Sequence, residues 1–444
     1  MFSQLINELR NVIWGTPLLG FVVGTGILTT VGLGFVQFRK FITGTKLVLG
    51  GGSDATATVG EISPLQAFLN ALSASLGNGA IAGIATAIHS GGPGAAFWVF
   101  FIGFIGMVLR FAEVFLATSF SSISSTGRVL GGPFLYLARV PGGTFLPTFY
   151  AFACLSYGFS SGCAMQCNSI STALNEVVGI PLAVIACALV ALTLYVLLGG
   201  AHRIIAVSTA IVPFKVGLFF VSCTGVLLYH WAAIIPAIGL IFKAAFAPQA
   251  VMGGAVGLSV QHVFRLSLTR TINASEAGLG TAAVIYGSTG SKNPINDALS
   301  AMIGTFISTN LVCTMVALTI VASGAWQSGE TGSALTAVAF QTAFGSIGGW
   351  IVSLLSILFG IGVLVAYGFV GRQCWLFLTN DRFEQGFTVL FCAFAFWGSL
   401  ADVSVVWASV DIVNAACLIV NLFAILWLLP YMRSHVMPLF QKDM

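Results

Sequence analysis

Gly77-Asn78-Gly79 interrupts an apolar stretch, SASLGNGAIAGIATAIHS, that otherwise predicts one long helix. Each glycine weakens a helix by about 1 kcal/mol relative to alanine, so the break suggests a function that needs it. A helix broken inside a membrane leaves backbone N–H and C=O groups unpaired, which is tolerated where they line a polar cavity or bind a ligand. The half-helix that begins near Gly79 presents N–H groups and the positive end of its dipole, which favours a bound carboxylate.

Asn78 has two interpretations at this break. Its amide could donate a hydrogen bond to the carboxylate, or its side chain could cap the half-helix that follows. The flanking glycines have an alternative of their own, since small residues also let helices pack closely in lipid. A second apolar stretch carries a similar interruption, RLSLTRTINASEAGLG, which is polar from Arg265 to Glu276.

Lys215 and Asp411 are the ionisable residues in these apolar segments whose types point to ion coupling. Lys215 lies about ten residues or more from either end of its segment, roughly 15 Å of helix. Its amine cannot easily reach the interface and needs buried acceptors, a paired acid or a water-filled crevice. Acids within a membrane are functional candidates by default, and Asp411 is our second candidate for a proton site.

Composition assigns the chain to the integral membrane proteins. Hydrophobic residues make up 57% and charged residues 7% of 444, against about 25% charged in soluble domains. Lysine and arginine do not cluster beyond Arg39-Lys40, so a nucleic-acid partner is not expected. The cysteines lie within apolar runs without a histidine pattern, so we expect no metal and no cofactor.

Eleven apolar segments of spanning length predict an all-α protein with about eleven transmembrane helices. They are Pro17 to Val36, Pro64 to His89, Ala95 to Ser119, Pro147 to Leu174, Pro181 to Leu198, Ile205 to Tyr229, Gly253 to Tyr286, Ala298 to Ser323, Gly348 to Leu378, Gly386 to Leu400 and Val405 to Leu429. The two interrupted segments each begin a block of five, and strict alternation makes them cross in opposite directions. That is what two inverted repeats require, with the first helix standing outside them.

The predicted organisation is therefore an N-terminal helix and cytoplasmic loop (1–62), two five-helix repeats (63–230 and 231–432) and a tail (433–444). Cytoplasmic loops accumulate positive charge, and Arg39, Lys40 and Lys46 share one side with the Arg433/Lys442 tail under alternation. This predicts a multi-pass protein of the cell (inner) membrane. Its N-terminus lies outside and its C-terminus in the cytoplasm.

The segment SPLQAFLNALSASLGNGAIAGIATAIHSGGPGAAFWVFFIGFIGMVLRFAEVFLA resembles the signature region of the alanine/glycine:cation symporters, also called the sodium:alanine symporter family. Further matching motifs follow in order: GGPFLYL, MQCNSIS, GGAHRI, SEAGLGTA, GTFISTNLVCTMVAL and VWASVDIVNAACLIVNLFAIL. The resemblance runs over nearly the whole chain. It implies a LeuT-like fold, a 5+5 inverted repeat, with small neutral amino acids as substrates.

The sequence departs from the family pattern where a sodium ion would bind. The family motif G-T-G-N-I-A-G is Gly77-Asn78-Gly79-Ala80-Ile81-Ala82-Gly83 here, and a serine-threonine pair followed by tryptophan is replaced by Gly362, Val363 and Tyr367. Hydroxyl and amide oxygens are the hard ligands that sodium needs. Because several are missing, the sequence leaves the coupling ion open between Na+ and H+.

Sodium-independent transporters of the same superfamily carry a lysine on the helix that corresponds to that of Lys215. The resemblance therefore implies that Lys215 is a tethered cation in place of the sodium, or a proton carrier. We expect its amine to bond the carbonyl oxygens at Gly77 to Gly79 and to face Gly362 and Val363. The alternative is a conventional sodium symporter with a rearranged sodium site.

The resemblance also assigns the substrate-binding residues. A substrate carboxylate would bind at the first break, and its ammonium would meet the carbonyls near Thr271 to Ala274 together with Gln166, which matches a glutamine of the family. The predicted substrate site comprises Gly77, Asn78, Gly79, Gln166, Thr271, Asn273, Ser275 and Tyr367. Tyr367 is expected to form a wall of the pocket or to fill the core.

Two charged pairs complete the set of candidate residues. Arg110 and Glu113 are three residues apart on one helix and are predicted to pair. Arg270 and Glu276 match residues that flank the second break in the family, and either form an inner gate or a fixed ion pair.

The function predicted from these features is cation-coupled secondary transport of small neutral amino acids by alternating access. An intramembrane enzyme is disfavoured because the five histidines are scattered and neither H-E-x-x-H nor G-x-S-x-G occurs. A channel is the other alternative. The expected partners are a small amino acid and the lipid bilayer, and the sequence leaves the oligomeric state open.

Overall fold

The structure is a computed structural model that describes residues 13–50, 60–123, 127–246 and 260–438. Parts of three predictions lie outside these residues: the positive charge of Lys442, and residues 253–259 of the seventh predicted span and 1–12 of the N-terminal segment. Within the described residues, helices dominate and a two-stranded antiparallel hairpin pairs Ser122–Ile123 (β1) with Val129–Leu130 (β2).

Eleven α-helices lie in the described residues of the first half of the chain. They are α1 Thr16–Gly32, α2 Val36–Arg39, α3 Phe41–Leu49, α4 Pro64–Ser75, α5 Ile84–Gly91, α6 Ala95–Ser119, α7 Pro133–Tyr136, α8 Leu146–Tyr157, α9 Met165–Val178, α10 Leu182–Leu198 and α11 Gly200–Tyr229. Two π-helical turns, Gly79–Gly83 and Gly158–Ala164, lead into α5 and join α8 to α9, and a 3₁₀ turn, Leu137–Arg139, follows α7.

The second half continues the all-helical architecture. Its helices are α12 Trp231–Phe246, α13 Val260–Ser275, α14 Thr281–Gly287, α15 Pro294–Thr305, α16 Thr314–Ala322, α17 Gly332–Phe344, α18 Ser346–Thr379, α19 Glu384–Leu400, α20 Val403–Trp427 and α21 Leu429–Val436. A π-helical turn, Phe306–Cys313, joins α15 to α16, and a 3₁₀ turn, Ala325–Gln327, precedes α17.

Several helices are long and apolar enough to cross a membrane. In the described ranges five meet this criterion, and six do so when the bent pair Pro64–Ser75 and Gly79–Gly91 counts as one span. Large apolar side chains such as Phe214, Val221 and Leu228 are exposed along α11, as expected of a surface that faces lipid. The chain is therefore an all-α, multi-pass membrane protein, as its composition predicts.

The first break lies at the predicted position. Ser63 and Gln66 form a reciprocal capping box that starts α4, with Pro64 at the first helical position. The helix ends at Ser75, and the chain resumes through the π-helical turn Gly79–Gly83 at an angle of 47°. A Cβ on Gly77 would lie 2.7 Å from Cγ2 of Val363, so the close approach of α18 requires glycine there.

The second break lies further along the chain than predicted. Helix α13 continues to Ser275, so Thr271 to Ala274 are helical rather than unwound. The break is formed by Glu276, Gly278 and Gly280, whose φ angles of 55°, 83° and 84° are left-handed. Two glycines adopt this conformation at little cost, which is why the helix ends here and not in the polar segment before it.

Helices α12 and α17 are the longest of the described helices that lie between the predicted spans. Helix α12 has 16 residues with Pro236 inside it, and α17 has 13 residues. Both are shorter than the roughly 20 residues that a spanning helix needs. A search for spanning segments therefore passes over them, although α17 packs against both α5 and α18.

Candidate functional site

The two breaks lie against each other in the centre of the helix bundle. A Cβ on Gly79 would lie 3.5 Å from the carbonyl oxygen of Asn273 and 3.6 Å from Cα of Ala274. The beginning of one half-helix thus meets the end of another. N–H groups of the first break and carbonyl groups at the end of α13 are brought within reach of one small ligand.

Gln166 binds the first break directly. Its Oε1 accepts hydrogen bonds from the backbone N of Asn78 at 3.4 Å and from Nδ2 of Asn78 at 3.2 Å. Its Nε2 donates to the carbonyl of Ser161 at 3.1 Å. The side-chain oxygen predicted to meet a ligand's ammonium is therefore engaged with Asn78 in this conformation. Asn78 makes no side-chain cap to the following helix, so the capping interpretation is wrong.

A cavity of about 400 Å³ opens beside the first break. Neutral polar side chains supply most of its hydrogen-bonding groups, and among the described residues Arg270 is the charged one that lines it. Its lining includes Asn78, Thr86, Asn168, Arg270, Ser356 and Trp407. The guanidinium carbon of Arg270 lies 5.3 Å from the centre of the Trp407 ring, which places both side chains on the same wall. Such a cavity suits a small polar ligand.

The end of α13 combines one unsatisfied group with a network that is already satisfied. Thr271 Oγ1 is buried with no hydrogen-bond partner in the structure. Asn273 is engaged, because its Nδ2 donates to Oδ1 of Asp411 at 2.8 Å and its Oδ1 accepts from Asn414. Ser275 Oγ accepts from the backbone N of Ala277 at 3.3 Å. Of these predicted site residues, Thr271 is the one with a buried polar atom left to bind a ligand.

Arg110 and Glu113 form the predicted pair, with Nη1 and Oε1 2.8 Å apart. The pair also holds the second break. Arg110 Nη2 donates to the carbonyl of Ser275 at 2.5 Å, and Glu113 Oε2 accepts from the backbone N of Gly280 at 2.9 Å. A cation thus meets the negative end of α13 and an anion meets the positive end of α14, the favourable sign in both cases.

Arg270 and Glu276 do not form the fixed ion pair that was one of two expectations. Glu276 is buried, and its Oε2 accepts a hydrogen bond from Thr281 Oγ1 at 3.0 Å. Arg270 instead extends toward Trp407 and the cavity. The two residues lie six positions apart, Arg270 within α13 and Glu276 directly after its end, where the backbone turns left-handed.

Lys215 is completely buried and is bonded to the first half-helix. Its Nζ donates to the carbonyl oxygens of Ser73 and Leu76, each at 3.0 Å, and lies 3.3 Å from Ser73 Oγ. The prediction that the acceptors are carbonyls of Gly77 to Gly79 is wrong: they belong to Ser73, in the last turn of α4, and to Leu76, the residue that follows this helix. These carbonyls are free because the helix ends here. The amine also faces Gly362, since a Cβ there would lie 2.5 Å from Nζ. Val363 instead contacts Gly77.

No carboxylate compensates Lys215 from its neighbouring helices. Those that pack against α11 are Pro64–Ser75, Leu182–Leu198, Trp231–Phe246, Thr314–Ala322, Gly332–Phe344 and Ser346–Thr379. Within these described helices there is no Asp or Glu. The ammonium is held by neutral oxygens and by the ring of Phe359, whose centre is 5.4 Å from Nζ. Three neutral oxygens thus face the three N–H donors of the ammonium group, and these helices supply no opposite charge.

Tyr367 lies behind the cavity and is not among the residues that line it. It is fully buried, and its ring meets that of Tyr157 edge-on with the centres 5.8 Å apart. Both hydroxyl groups are buried without a hydrogen bond of good geometry, and that of Tyr367 lies within interaction range of Glu276. Tyr367 thus packs in the core in this conformation; of the predicted substrate residues, Asn78 lines the cavity, whereas Gly77, Gly79, Gln166, Thr271, Asn273, Ser275 and Tyr367 are not in its lining.

Similar sequences among known proteins identify the family of this chain. Residues 1–443 match the profile described as the sodium:alanine symporter family. The chain belongs to this family. A sodium/alanine symporter of Methanococcus maripaludis, AgcS, is 32% identical over 435 residues, which are 96% of this chain and 95% of the relative. The amino-acid carrier protein AlsT and the probable sodium/glutamine symporter GlnT, both of Bacillus subtilis, are 28% identical over 96% of this chain and cover 89% and 88% of their own lengths.

Two further features of this family member were missed from sequence. Asn168 Nδ2 donates to the carbonyls of Gly398 and Ala401 at 3.0 and 2.8 Å, which fixes the end of α19 beside the cavity. Its position in the motif MQCNSIS was a usable signal. Arg128 joins distant segments, since it contacts Glu61 at 3.2 Å, Asp381 at 2.7 Å and Gln373 at 2.8 Å. We call Glu61, Arg128, Gln373 and Asp381 the Arg128 network.

Proposed function

We propose that this chain is a secondary transporter of small neutral amino acids that works by alternating access around its two broken helices. The observation that carries the proposal is the contact between the breaks, with Gly79 against Asn273 and Ala274 beside a polar cavity. The proposed architecture is LeuT-like, with eleven spans, repeats over 63–230 and 231–432, and α1 outside them. Discontinuous helices that meet at mid-membrane are the substrate sites of such transporters.

The substrate's carboxylate would bind the N–H groups at the first break. It would replace Gln166 Oε1 as the acceptor for Asn78 N and Nδ2. The substrate's ammonium would meet the terminal carbonyls of α13, where Thr271 Oγ1 has no other partner. Relatives are named for alanine and for glutamine. We propose alanine and glycine as the first substrates to test.

The cavity would open to the outside and the Arg128 network would close the cytoplasmic side. Positive-inside counting puts the α4 start, Arg128 and Asp381 on the cytoplasmic side. The cavity lies toward the other end of the same helices, between α5 and the start of α17. With the N-terminus outside and the C-terminus inside, this is a conformation that receives substrate from outside the cell membrane.

Lys215 would take the place of the coupling sodium ion. Its amine is held by three neutral oxygens, and the family's hydroxyl-bearing pair is Gly362 and Val363 in this chain. A side chain on Gly362 would collide with the amine, so the lysine and a serine or threonine at position 362 exclude each other. The loss of the hydroxyl groups at positions 362 and 363 and the gain of Lys215 would then be linked substitutions, in which a fixed cation replaces a bound sodium ion. The coupling ion would be H+, with Lys215 a fixed cation or itself a proton carrier.

A conventional sodium symporter with a rearranged sodium site is the second candidate, and the names of its relatives favour it. The oxygens for such a site would have to come from Ser73, Leu76 and Thr271. An enzyme or a channel has no comparable support.

Uptake of radiolabelled alanine into proteoliposomes tests the proposal. The gradients of sodium and protons are imposed separately, and Lys215→Met is compared with Lys243→Met, which removes an exposed lysine of α12. We expect uptake without sodium, driven by protons, and its loss in Lys215→Met alone. Unchanged uptake and pH dependence in Lys215→Met would contradict the role of the lysine, and an absolute requirement for sodium would favour the second candidate.

A further inference from the structure

Glu276 is held in a backbone conformation that residues other than glycine rarely adopt. Its φ is 55°, and it is the first residue of the second break. The conformation is imposed from both sides, because Glu276 N donates to the carbonyl of Ile272 at 2.7 Å and Arg110 binds the carbonyl of Ser275. Backbone strain of this kind concentrates at functional sites. Glycine would adopt this conformation without strain, so the presence of a glutamate at this position requires a separate explanation.

The carboxylate of Glu276 is poorly compensated compared with that of Glu113. Glu113 accepts from Arg110 Nη1 at 2.8 Å, from Gly280 N at 2.9 Å and from Asn421 Nδ2 at 3.2 Å. Glu276 is also buried; its Oε2 accepts from the hydroxyl of Thr281, and the hydroxyl of Tyr367 is its other hydrogen-bonding neighbour. Arg110 is already shared among Glu113, Ser275 and Thr305. Two buried carboxylates thus share one committed guanidinium, and the negative charge of Glu276 remains to be neutralised.

Two hydroxyl groups near Glu276 can adapt to either of its protonation states. Tyr157 on α8 and Tyr367 on α18 are electrostatic neighbours of this carboxyl group. Both hydroxyls are buried and neither makes a hydrogen bond of good geometry, although that of Tyr367 lies within interaction range of the Glu276 carboxyl group and that of Tyr157 within range of Tyr367. A tyrosine hydroxyl donates to a carboxylate and accepts from a carboxylic acid. Small movements of the rings would therefore satisfy the group in both forms.

The charged and titratable groups around Glu276 come from few elements. Helix α6 contributes Arg110 and Glu113, and α8 and α18 contribute the two tyrosines. On α13 itself, Arg270 points to the cavity wall. On α20, Asp411 is bonded to Asn273. The full positive charge that acts on Glu276 from this shell is that of Arg110, and Glu113 opposes it.

We propose that Glu276 is the proton-binding residue of the transport cycle. A proton from water adds to Oε1 of the carboxylate to give a neutral carboxylic acid, since Oε2 already accepts from Thr281. The proton leaves to water on the other side after the bundle changes conformation, and no electron is transferred. This inference rests on the proposed function and assigns its coupling ion to a residue. In this scheme Lys215 carries a fixed positive charge, and Glu276 binds and releases the proton that crosses the membrane.

The position of Glu276 explains how a proton would act on the conformation. The residue begins the segment that joins α13 to α14, and its charge lies beside Glu113, which holds the N-terminus of α14. Neutralising Glu276 removes the repulsion between the two carboxylates. The hinge between the half-helices is thus coupled to protonation through residues already in contact.

The test uses the purified full-length protein in proteoliposomes with a pH-sensitive dye inside. Alanine exchange and alanine-driven proton movement are measured for the wild type, Glu276→Gln and Glu330→Gln, which makes the same chemical change at an exposed loop residue. We expect Glu276→Gln to retain exchange but to lose proton movement by at least about tenfold, with exchange that no longer varies with pH. Glu330→Gln should behave as the wild type.

Proton-coupled accumulation in Glu276→Gln equal to that of the wild type would overturn the inference. Alanine exchange by the wild type with no proton movement at any pH would also overturn it, while leaving the proposed function intact. Absence of exchange for alanine and glycine would reject the proposed function itself. If Glu276→Gln does not fold, Glu276→Asp is measured, because a shorter acid should keep proton movement with a displaced pH profile. An unchanged profile in that variant would contradict the assignment.

Discussion

Arg110 and Glu113, 2.8 Å apart on one helix, bind opposite ends of the second break. The guanidinium holds the carbonyl of Ser275 and the carboxylate holds the N–H of Gly280. One ion pair therefore fixes the length and angle of the unwound segment between two half-helices. The Arg110–Glu113 pair therefore acts on the shape of the site and does not contact a ligand in the cavity beside the first break, because neither residue lines that cavity.

Arg110→Met is expected to destabilise the protein strongly. It leaves the carboxylate of Glu113 buried without its cation, and breaking a buried pair in this way costs about 3–5 kcal/mol. The double variant Arg110→Met/Glu113→Gln should be more stable than Arg110→Met, because it removes the uncompensated charge. Thermal unfolding in detergent measures both of these variants and the single variant Glu113→Gln. A double variant with the sum of the two single losses would show that the residues do not act as a pair.

Gly362→Ser is expected to abolish transport while Lys215 is present. A Cβ at this position would lie 2.5 Å from Nζ and 2.9 Å from Ser73 Oγ, so the amine must be displaced. In Lys215→Met/Gly362→Ser the collision is gone and a hydroxyl ligand is added. We expect that variant to show uptake stimulated by sodium by at least about tenfold over Lys215→Met, because hydroxyl oxygens are sodium ligands. Equal uptake with and without sodium in the double variant would argue against a shared site.

The sequence was sufficient to predict the first break and the Arg110–Glu113 pair. Gly-Asn-Gly within an apolar run and charges three residues apart are local patterns, and local patterns determine where a helix ends and which neighbours share its face. The contacts of the same pair with Ser275 and Gly280 join residues more than 160 positions apart. No local pattern in a single sequence specifies such contacts.

Two predictions were wrong for the same physical reason. Backbone N–H and C=O groups without a partner lie at the ends of helices, and the positions of those ends were misplaced. The polar segment before Glu276 stayed helical, and the break followed the glycines that can adopt left-handed angles. The acceptors of Lys215 were expected at the glycines of the first break, but the unpaired carbonyls belong to the last turn of α4 and to the residue that follows it. The polar residues indicated that a helix break lies in each region, and the backbone geometry determined at which residues the helix ends.

Gly77→Ala is expected to impair transport much more than Gly79→Ala. The Cβ added at position 77 would lie 2.7 Å from Val363 Cγ2, whereas that at position 79 meets its nearest atom at 3.5 Å. Overpacking of a tight contact costs about 1–3 kcal/mol. Gly77→Ala/Val363→Ala relieves the collision and should recover much of the activity and thermal stability. Alanine uptake and melting temperature are measured for all three. Equal effects of the two single variants would mean that the glycines serve backbone freedom and not close packing.

Arg128→Met is expected to favour the conformation that is open on the side of the Arg128 network. The guanidinium joins the segment before α4 to the end of α18 through Glu61 and Asp381, and these partly exposed pairs contribute up to about 1 kcal/mol each. Their loss should shift the conformational equilibrium by about fivefold to thirtyfold.

The measurement is the labelling rate of Ser288→Cys, in a background without the nine native cysteines, by a membrane-impermeant maleimide supplied from that side. Ser288 is buried next to Thr289, whose carbonyl accepts from Gly60 beside Glu61, so it becomes accessible when this side opens. Lys292→Met removes an exposed cation of the neighbouring loop and serves as the control. Faster labelling in Arg128→Met alone supports a gate, and equal rates in both variants would show that the network stabilises the fold without controlling access.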